Sequence, residues 1–163
     1  MSLYIHNTAA QSVDCYGVNW FATSFTSTSD ARITDFVFLL TKLGAPSGNI
    51  TIALKANSGG VPTGADLTSV SRTASTIGTG QQNETFTLAT PYVIIPATVY
   101  HIVMSVPSGT VGNGVAWYRS TSDTFAGGNF STSVNSGGAW SSTGYDGDFA
   151  VNGSINSTFM VMF

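Results

Sequence analysis

The sequence predicts an all-β protein: an antiparallel jelly-roll β-sandwich that forms a single domain over residues 1–163. Three observations support this prediction. Charged residues make up only 8% of the chain, against roughly 25% in typical globular domains, and Ser, Thr, Gly and Asn replace them. Apolar and polar residues alternate in several separate runs, as in half-buried strands. Clusters of Gly, Pro, Asn and Ser separate these runs, and no linker or charged block divides the chain.

The strand-like runs can be taken in chain order. The clearest is Asn49–Lys55, in which Ile50, Ile52 and Leu54 alternate with polar residues. A turn-rich loop, Ser58–Gly64, follows it. The complete set of predicted strands is Ser2–Asn7, Val13–Phe25 with an interruption at Gly17, Ile33–Lys42, Asn49–Lys55, Leu67–Ser75, Glu84–Leu88, Tyr92–Ile95, Thr98–Val106, Gly114–Ser120, Asp148–Asn152 and Asn156–Phe163.

Two of these runs are apolar on both faces. Ile33–Lys42 lacks the polar positions that a surface helix of this length needs, so we interpret it as a central strand covered on both sides. The terminal run, Asn156–Phe163, would be an aggregation hazard if it were left exposed. We expect it to be a strand that is buried in the sheet or pairs with a neighbouring subunit.

Charge excludes some partners. The net charge is −3, and the five Lys and Arg residues are spread along the chain. Nucleic-acid binding needs clustered cations, so we expect no nucleic acid as a partner. We also expect no membrane, because no apolar run is long enough to span one and the start of the chain does not resemble a signal peptide.

Four stretches resemble the choice-of-anchor type R domains, jelly-roll modules of bacterial surface proteins and phage structural proteins. Gly44–Gly64 has a small-residue turn, a GNITI strand and a Ser-Gly-Gly loop. Glu84–Val106 has an aromatic-rich return strand, and Ala139–Phe149 has a Trp-containing turn before Asp-Phe. Thr23–Thr26 is similar more loosely, since a Gln usually precedes its Ser-Phe-Thr. The resemblance implies the fold and a role in display or binding, and it implies no catalytic residues.

The residues themselves also predict no enzyme. The chain has one Glu, and most of its Asp residues lie in turn contexts, so a facing pair of carboxylates is disfavoured. Cys15 is expected to be a small buried hydrophobe, because nothing local ties a histidine to it. The two histidines are too few for most zinc sites. We expect His6 to be exposed and His101 to be an ordinary strand residue.

No cofactor is expected. Asp146 and Asp148 could contribute oxygens to a structural calcium ion, but Ca²⁺ needs six to eight oxygen ligands. An Asp-Gly turn needs no metal, and we favour the turn.

Four aromatic residues in loop-rich segments are candidate contacts for a glycan or a subunit: Trp117, Tyr118, Trp140 and Tyr145. Adjacent residues of a strand point to opposite faces, so of Trp117 and Tyr118 one can be core and the other a platform. The alternative is that all four are core or interface aromatics, and we favour it.

Together these points predict a non-enzymatic structural protein of a virus particle, a phage capsid decoration or tail- or fibre-associated subunit. The expected location is the virion, outside cells after lysis. The expected partners are other virion proteins or further copies of the chain, in a homo-oligomer that could be a trimer. The alternative is a carbohydrate-binding or adhesive module of a secreted bacterial protein, with a glycan as ligand.

Overall fold

The computed structural model describes residues 1–6 and 10–156. Within them lie twelve strands and one short 3-10 turn, Ala74–Thr76. The strands are β1 (Ser2–His6), β2 (Gln11–Cys15), β3 (Trp20–Thr26), β4 (Ala31–Lys42), β5 (Asn49–Ser58), β6 (Val61–Thr73), β7 (Gln82–Ile94), β8 (Val99–Ser105), β9 (Val115–Arg119), β10 (Phe130–Ser133), β11 (Ser141–Thr143) and β12 (Phe149–Ile155).

The strands form two antiparallel sheets of six strands each. Sheet 1 has the order β1-β12-β4-β9-β2, and β7 pairs with the remaining edge of β4. Sheet 2 has the order β11-β10-β3-β8-β5-β6. The prediction of an all-β protein with antiparallel sheets in a β-sandwich is confirmed, and the jelly-roll connectivity stays a prediction.

Strand β4 is the centre of sheet 1. Along one edge it pairs first with β12 and then, at Leu40–Lys42, with β9, while β7 occupies its other edge. Phe36, Phe38 and Leu40 are completely buried between the sheets, whereas Val37 and Leu39 on the outer face are only half-buried. The prediction of a central strand is therefore right, but full cover holds for one face only.

The core lies between the sheets and is rich in aromatic rings. The Trp117 ring of β9 meets Phe38 of sheet 1 edge-on at 5.1 Å between ring centroids, and Phe130 of sheet 2 at 5.2 Å. Its indole Nε1 donates a hydrogen bond to the Asp148 carbonyl at 2.9 Å, so the polar atom of this buried ring has a partner. Edge-to-face packing of this kind joins the two sheets through one indole.

An ion pair also links the sheets at one side of the sandwich. Arg72 on β6 of sheet 2 pairs with Glu84 on β7 of sheet 1, and its guanidinium lies 4.3 Å from the centroid of the Phe86 ring. Glu84 also accepts hydrogen bonds from the Gly78 amide at 2.9 Å and from Gln82 Nε2 at 2.6 Å. These bonds satisfy a carboxylate that is only 7% exposed.

The structure corrects several predicted boundaries. The expected loop over residues 58–64 is a tight hairpin around Gly59 and Gly60, and β6 already begins at Val61. The predicted strands Glu84–Leu88 and Tyr92–Ile95 belong, apart from Ile95, to the single strand β7. Strands β10 and β11 were not predicted. The predicted terminal strand Asn156–Phe163 lies, apart from Asn156, outside the described residues and stays a prediction.

Candidate functional site

The outer face of sheet 2 is shielded from solvent along its middle. On β3, Phe21 and Phe25 face the core, so Trp20, Ala22 and Ser24 face outward. On β8 the outward residues are His101 and Val103, which are 0% and 2% exposed. An outer sheet face is normally open to water on an antiparallel sandwich. Side chains this well shielded show that other segments of the chain rise above this face, and the depression between these segments is called here the trough.

The β5–β6 hairpin forms one wall. Its pairing is irregular between Leu54 and Ala56, a bulge that bends a strand and increases its twist. Lys55, just at this bend, donates to the Gly64 carbonyl at 2.9 Å and pairs with Asp66 at 2.7 Å. These contacts tie the two strands of the hairpin together above the sheet.

The segment between β10 and β11 forms the opposite wall, and a compact polar network fixes it. Ser133 Oγ donates to Asn135 Oδ1 at 2.9 Å and accepts from the Gly137 amide at 2.9 Å. Asn135 Oδ1 also accepts from the Ala139 amide at 2.8 Å, and the Ser136 amide donates to the Val18 carbonyl at 3.0 Å. Turns closed by Ser and Asn side chains hold one backbone shape, so this wall is preset.

Two clefts open on this face. The first, called here the Trp cleft, has a volume of about 120 Å³ and is lined by Trp20, Lys55, Pro62, Thr63, Gly64, Ser136, Gly137 and Trp140. The second, the Asn cleft, has a volume of about 380 Å³ and is lined by Ser24, Asn57, Gly60, Val99, Asp123, Ala126, Gly127, Gly128 and Asn129. Lys55 of β5, His101 of β8 and Ser24 of β3 are neighbours across the three strands, and they form a row that joins the two clefts.

His101 is the buried polar residue of this row. Its Nε2 lies 2.9 Å from Asn57 Oδ1, so His101 positions a residue of the Asn cleft. Burial lowers the pKa of His101 to about 4, because the charged imidazolium loses hydration there. The ring is therefore uncharged at neutral pH. Its Nδ1 is buried and makes no hydrogen bond within the part of the chain that the structure describes.

The four predicted aromatic contacts do not form one site. Trp117 is 0% exposed and belongs to the core, so it has no face for a ligand. Tyr118 points the opposite way, as predicted for adjacent strand residues, and its hydroxyl lies 3.3 Å from Thr41 Oγ1. Tyr145 is half-buried, with the Arg119 guanidinium 4.2 Å from its ring centroid. Only Trp140 reaches the Trp cleft.

Sequence reasoning missed Trp20, the other aromatic residue of the Trp cleft. The signal was present, because Trp20 directly precedes the alternating residues Phe21, Thr23 and Phe25 and therefore shares its face with small residues. The clefts themselves depend on the bend of the β5–β6 hairpin, which no local pattern of residues reveals.

Asp146 has a structural role. It is 0% exposed, and its carboxylate accepts the backbone amides of Thr124 at 2.6 Å and Phe125 at 2.8 Å. Asp148 is 4% exposed, and its backbone bonds to Trp117 and Tyr118. Over residues 1–6 and 10–156, no group of three or more His, Cys, Asp or Glu side chains is arranged to hold a metal ion. The turn remains the favoured interpretation of these two residues.

Cys15 is completely buried, as predicted, and burial raises the pKa of its thiol. A thiol held in the protonated form is a poor nucleophile. His6 lies in β1, but its side chain is outside the described set. Among the described residues, no helix is long and apolar enough to cross a membrane.

Comparison with known proteins finds no family model that matches the sequence and no curated relative.

Proposed function

We propose that this protein is a non-enzymatic structural subunit of a virus particle, a capsid decoration or tail- or fibre-associated protein that acts by assembly and surface display. The resemblance to choice-of-anchor type R domains supports the proposal.

One observation carries the assembly part of the proposal, an apolar row on the outer face of sheet 1. Ile5 on β1, Ala150 on β12 and Val37 on β4 lie side by side across three strands. Ile5 is 59% exposed, Val37 is half-buried, and Ala150 between them is 9% exposed. The row borders a depression of about 200 Å³, and its lining among the described residues also includes Ser2, Asn83, Asn152 and the almost fully buried Asp148 but no Lys or Arg. An apolar row with an exposed end and a polar border suits contact with a second copy of the chain.

Mass in solution tests this proposal. The wild-type chain is expected to sediment as a trimer or other closed oligomer that persists on dilution. Ile5→Asp places a charge in the apolar row and should shift the protein to monomer. Val111→Asp is the matched control, because Val111 is 77% exposed but lies in a turn outside sheet 1, so its oligomer should be unchanged. A wild-type monomer at all concentrations, or equal behaviour of the two variants, would contradict the assembly role.

The protein composition of purified virus particles tests the virion part of the proposal. Peptides of this chain should be present in purified particles of the virus whose genome encodes it. Their absence from such particles would reject the virion assignment and leave the alternative, a secreted carbohydrate-binding or adhesive module. Carbohydrate binding and assembly are compatible, because the clefts lie on sheet 2 and the apolar row lies on sheet 1.

A further inference from the structure

We propose that the trough on sheet 2 binds a neutral oligosaccharide, with Trp20 and Trp140 contacting sugar rings at one end and Asn57 and Asn129 hydrogen-bonding hydroxyl groups at the other. The inference deepens the proposed function, on which it rests, by naming a ligand for the displayed surface.

Two indole rings are held in a fixed arrangement in the Trp cleft. Gly137 has φ +81°, and a Cβ on it would lie 3.1 Å from the Trp20 ring and 3.5 Å from the Trp140 ring. A side chain here would crowd the Trp20 ring, and the positive φ favours glycine, so Gly137 lets the loop backbone lie close to both rings. Trp20 Nε1 also donates to the Gly17 carbonyl at 3.0 Å, which fixes the ring further. Aromatic rings that are held before binding lose little entropy when a ligand arrives.

The Asn cleft contains two amide side chains that can bind hydroxyl groups. Asn57 uses its Oδ1 on His101, so its amide NH₂ is the group oriented to donate to a ligand. Asn129 lines the same cleft and is exposed, and its backbone bonds with Ser24 hold it in place. Amide side chains both donate and accept, which matches the hydroxyl groups of a sugar.

The two clefts offer little available positive charge. Among the described residues that line the two clefts, Lys55 is the one Lys or Arg, and its ammonium group pairs with Asp66 and donates to the Gly64 carbonyl. His101 between the clefts is uncharged at neutral pH. Asp123 in the Asn cleft is exposed and acidic. A surface without an available cation does not attract anionic polymers, so the ligand is expected to be neutral.

The distance between the two clefts sets the length of the ligand. Trp20 and Ser24, one in each cleft, are four residues apart on β3, which corresponds to about 13 Å along a strand. A ligand that reaches both clefts must be an extended chain of a few sugar rings. A monosaccharide would fill one cleft only.

Calorimetric titration tests the proposal. The probes are neutral hexasaccharides of glucose, xylose, mannose and N-acetylglucosamine, and an anionic hexasaccharide of galacturonic acid. At least one neutral probe should bind at up to millimolar concentration and change the tryptophan fluorescence. Trp140→Ala should then weaken its binding about tenfold or more. Asn57→Ala should weaken it less.

Tyr118→Ala is the matched control, because Tyr118 is a half-buried aromatic residue of sheet 1. Its affinity should equal that of the wild type. If Trp140→Ala does not fold, Trp140→Phe replaces it, and a smaller loss of affinity is expected. No binding of any neutral probe, equal affinity of wild type and the Trp140 variants, or tighter binding of the anionic probe would overturn the inference. The oligomer mass is measured separately, so these outcomes leave the assembly proposal standing.

Discussion

Protonation of one buried side chain should set the acid sensitivity of this protein. His101 has a pKa of about 4 in the folded chain because it is buried, against an ordinary value of 6.5. Between these values the unfolded chain binds a proton that the folded chain does not, so stability falls as the pH falls. We expect the free energy of unfolding to drop by about 2 kcal/mol between pH 7 and pH 5, at ~1.4 kcal/mol per pKa unit.

Urea denaturation at the two pH values measures this effect. His101→Gln keeps a donor toward Asn57 but cannot be protonated, so it should flatten the dependence over this range. Glu84 has its pKa below the usual 4.5, so it contributes only at lower pH. An unchanged slope in the His101→Gln variant would show that another group is responsible.

A second residue-scale prediction concerns Gly153, where β12 shifts its register against β4. A Cβ at this position would lie 2.1 Å from the Arg32 carbonyl oxygen and 2.8 Å from the Ile33 Cα. Both are backbone atoms of the central strand, so they cannot move aside without disturbing the ladder. Gly153→Ala should therefore destabilise the fold by roughly 2–4 kcal/mol.

Gly80→Ala serves as the control for Gly153→Ala in the same denaturation experiment. A Cβ on Gly80 would have no neighbour within 4 Å, and its φ is not positive. We expect its free energy of unfolding to stay close to that of the wild type. Comparable losses in both variants would mean that the close approach at Gly153 is not what limits the substitution.

At the scale of elements, the Arg72–Glu84 pair should stabilise the side of the sandwich where β6 and β7 meet. Burial alone would raise the pKa of Glu84, but hydrogen bonds from Gln82, the Gly78 amide and Arg72, with the Arg72 charge, outweigh it and lower the pKa. The stabilisation is thus present above the ordinary pKa and is lost as the pH falls below it.

Glu84→Gln should cost about 1–3 kcal/mol in urea denaturation at pH 7, since it leaves Arg72 and the Gly78 amide with a weaker acceptor. Asp66→Asn is the control. It breaks the ion pair to Lys55, but the Asp66 side chain is 42% exposed. Exposed pairs contribute about 0–1 kcal/mol, so this loss should be smaller. A larger loss of unfolding free energy in Asp66→Asn than in Glu84→Gln would contradict the stabilising role of the Arg72–Glu84 pair.

The strands that alternation predicts are those with one apolar face, such as β5 and β8. Strands β10 and β11 were missed because they consist almost entirely of Ser and Thr. In β10, Ser131 and Ser133 lie beside Ala22 and Trp20 and are buried on the outer face of sheet 2, so their burial leaves no apolar pattern. The Trp cleft was hidden for a related reason: Trp140 could be singled out by its turn and Trp20 by its place on its strand, but their meeting in one cleft depends on how distant segments pack.

For the whole molecule, composition was enough to predict the fold class, because a chain poor in charge and rich in Ser, Thr and Gly favours strands and turns. Composition could not show how the few charges are used. Lys55 and Arg72 are in ion pairs, and Arg119 lies against the Tyr145 ring. A surface with so few available charges should interact with its surroundings through hydrogen bonds and apolar contacts, which suits both proposals.

The pairing of β1 with β12 has a consequence for the order of events in the cell. Ser2 lies opposite Asn152, and the Met1 carbonyl accepts the Gly153 amide. During translation the first strand leaves the ribosome long before its partner exists, and β4 likewise waits for β7, β9 and β12. Contacts this distant along the chain slow folding. Sheet 1 is therefore completed only after β12 has been synthesised, and a chain interrupted before that point would expose unpaired strand edges to its neighbours.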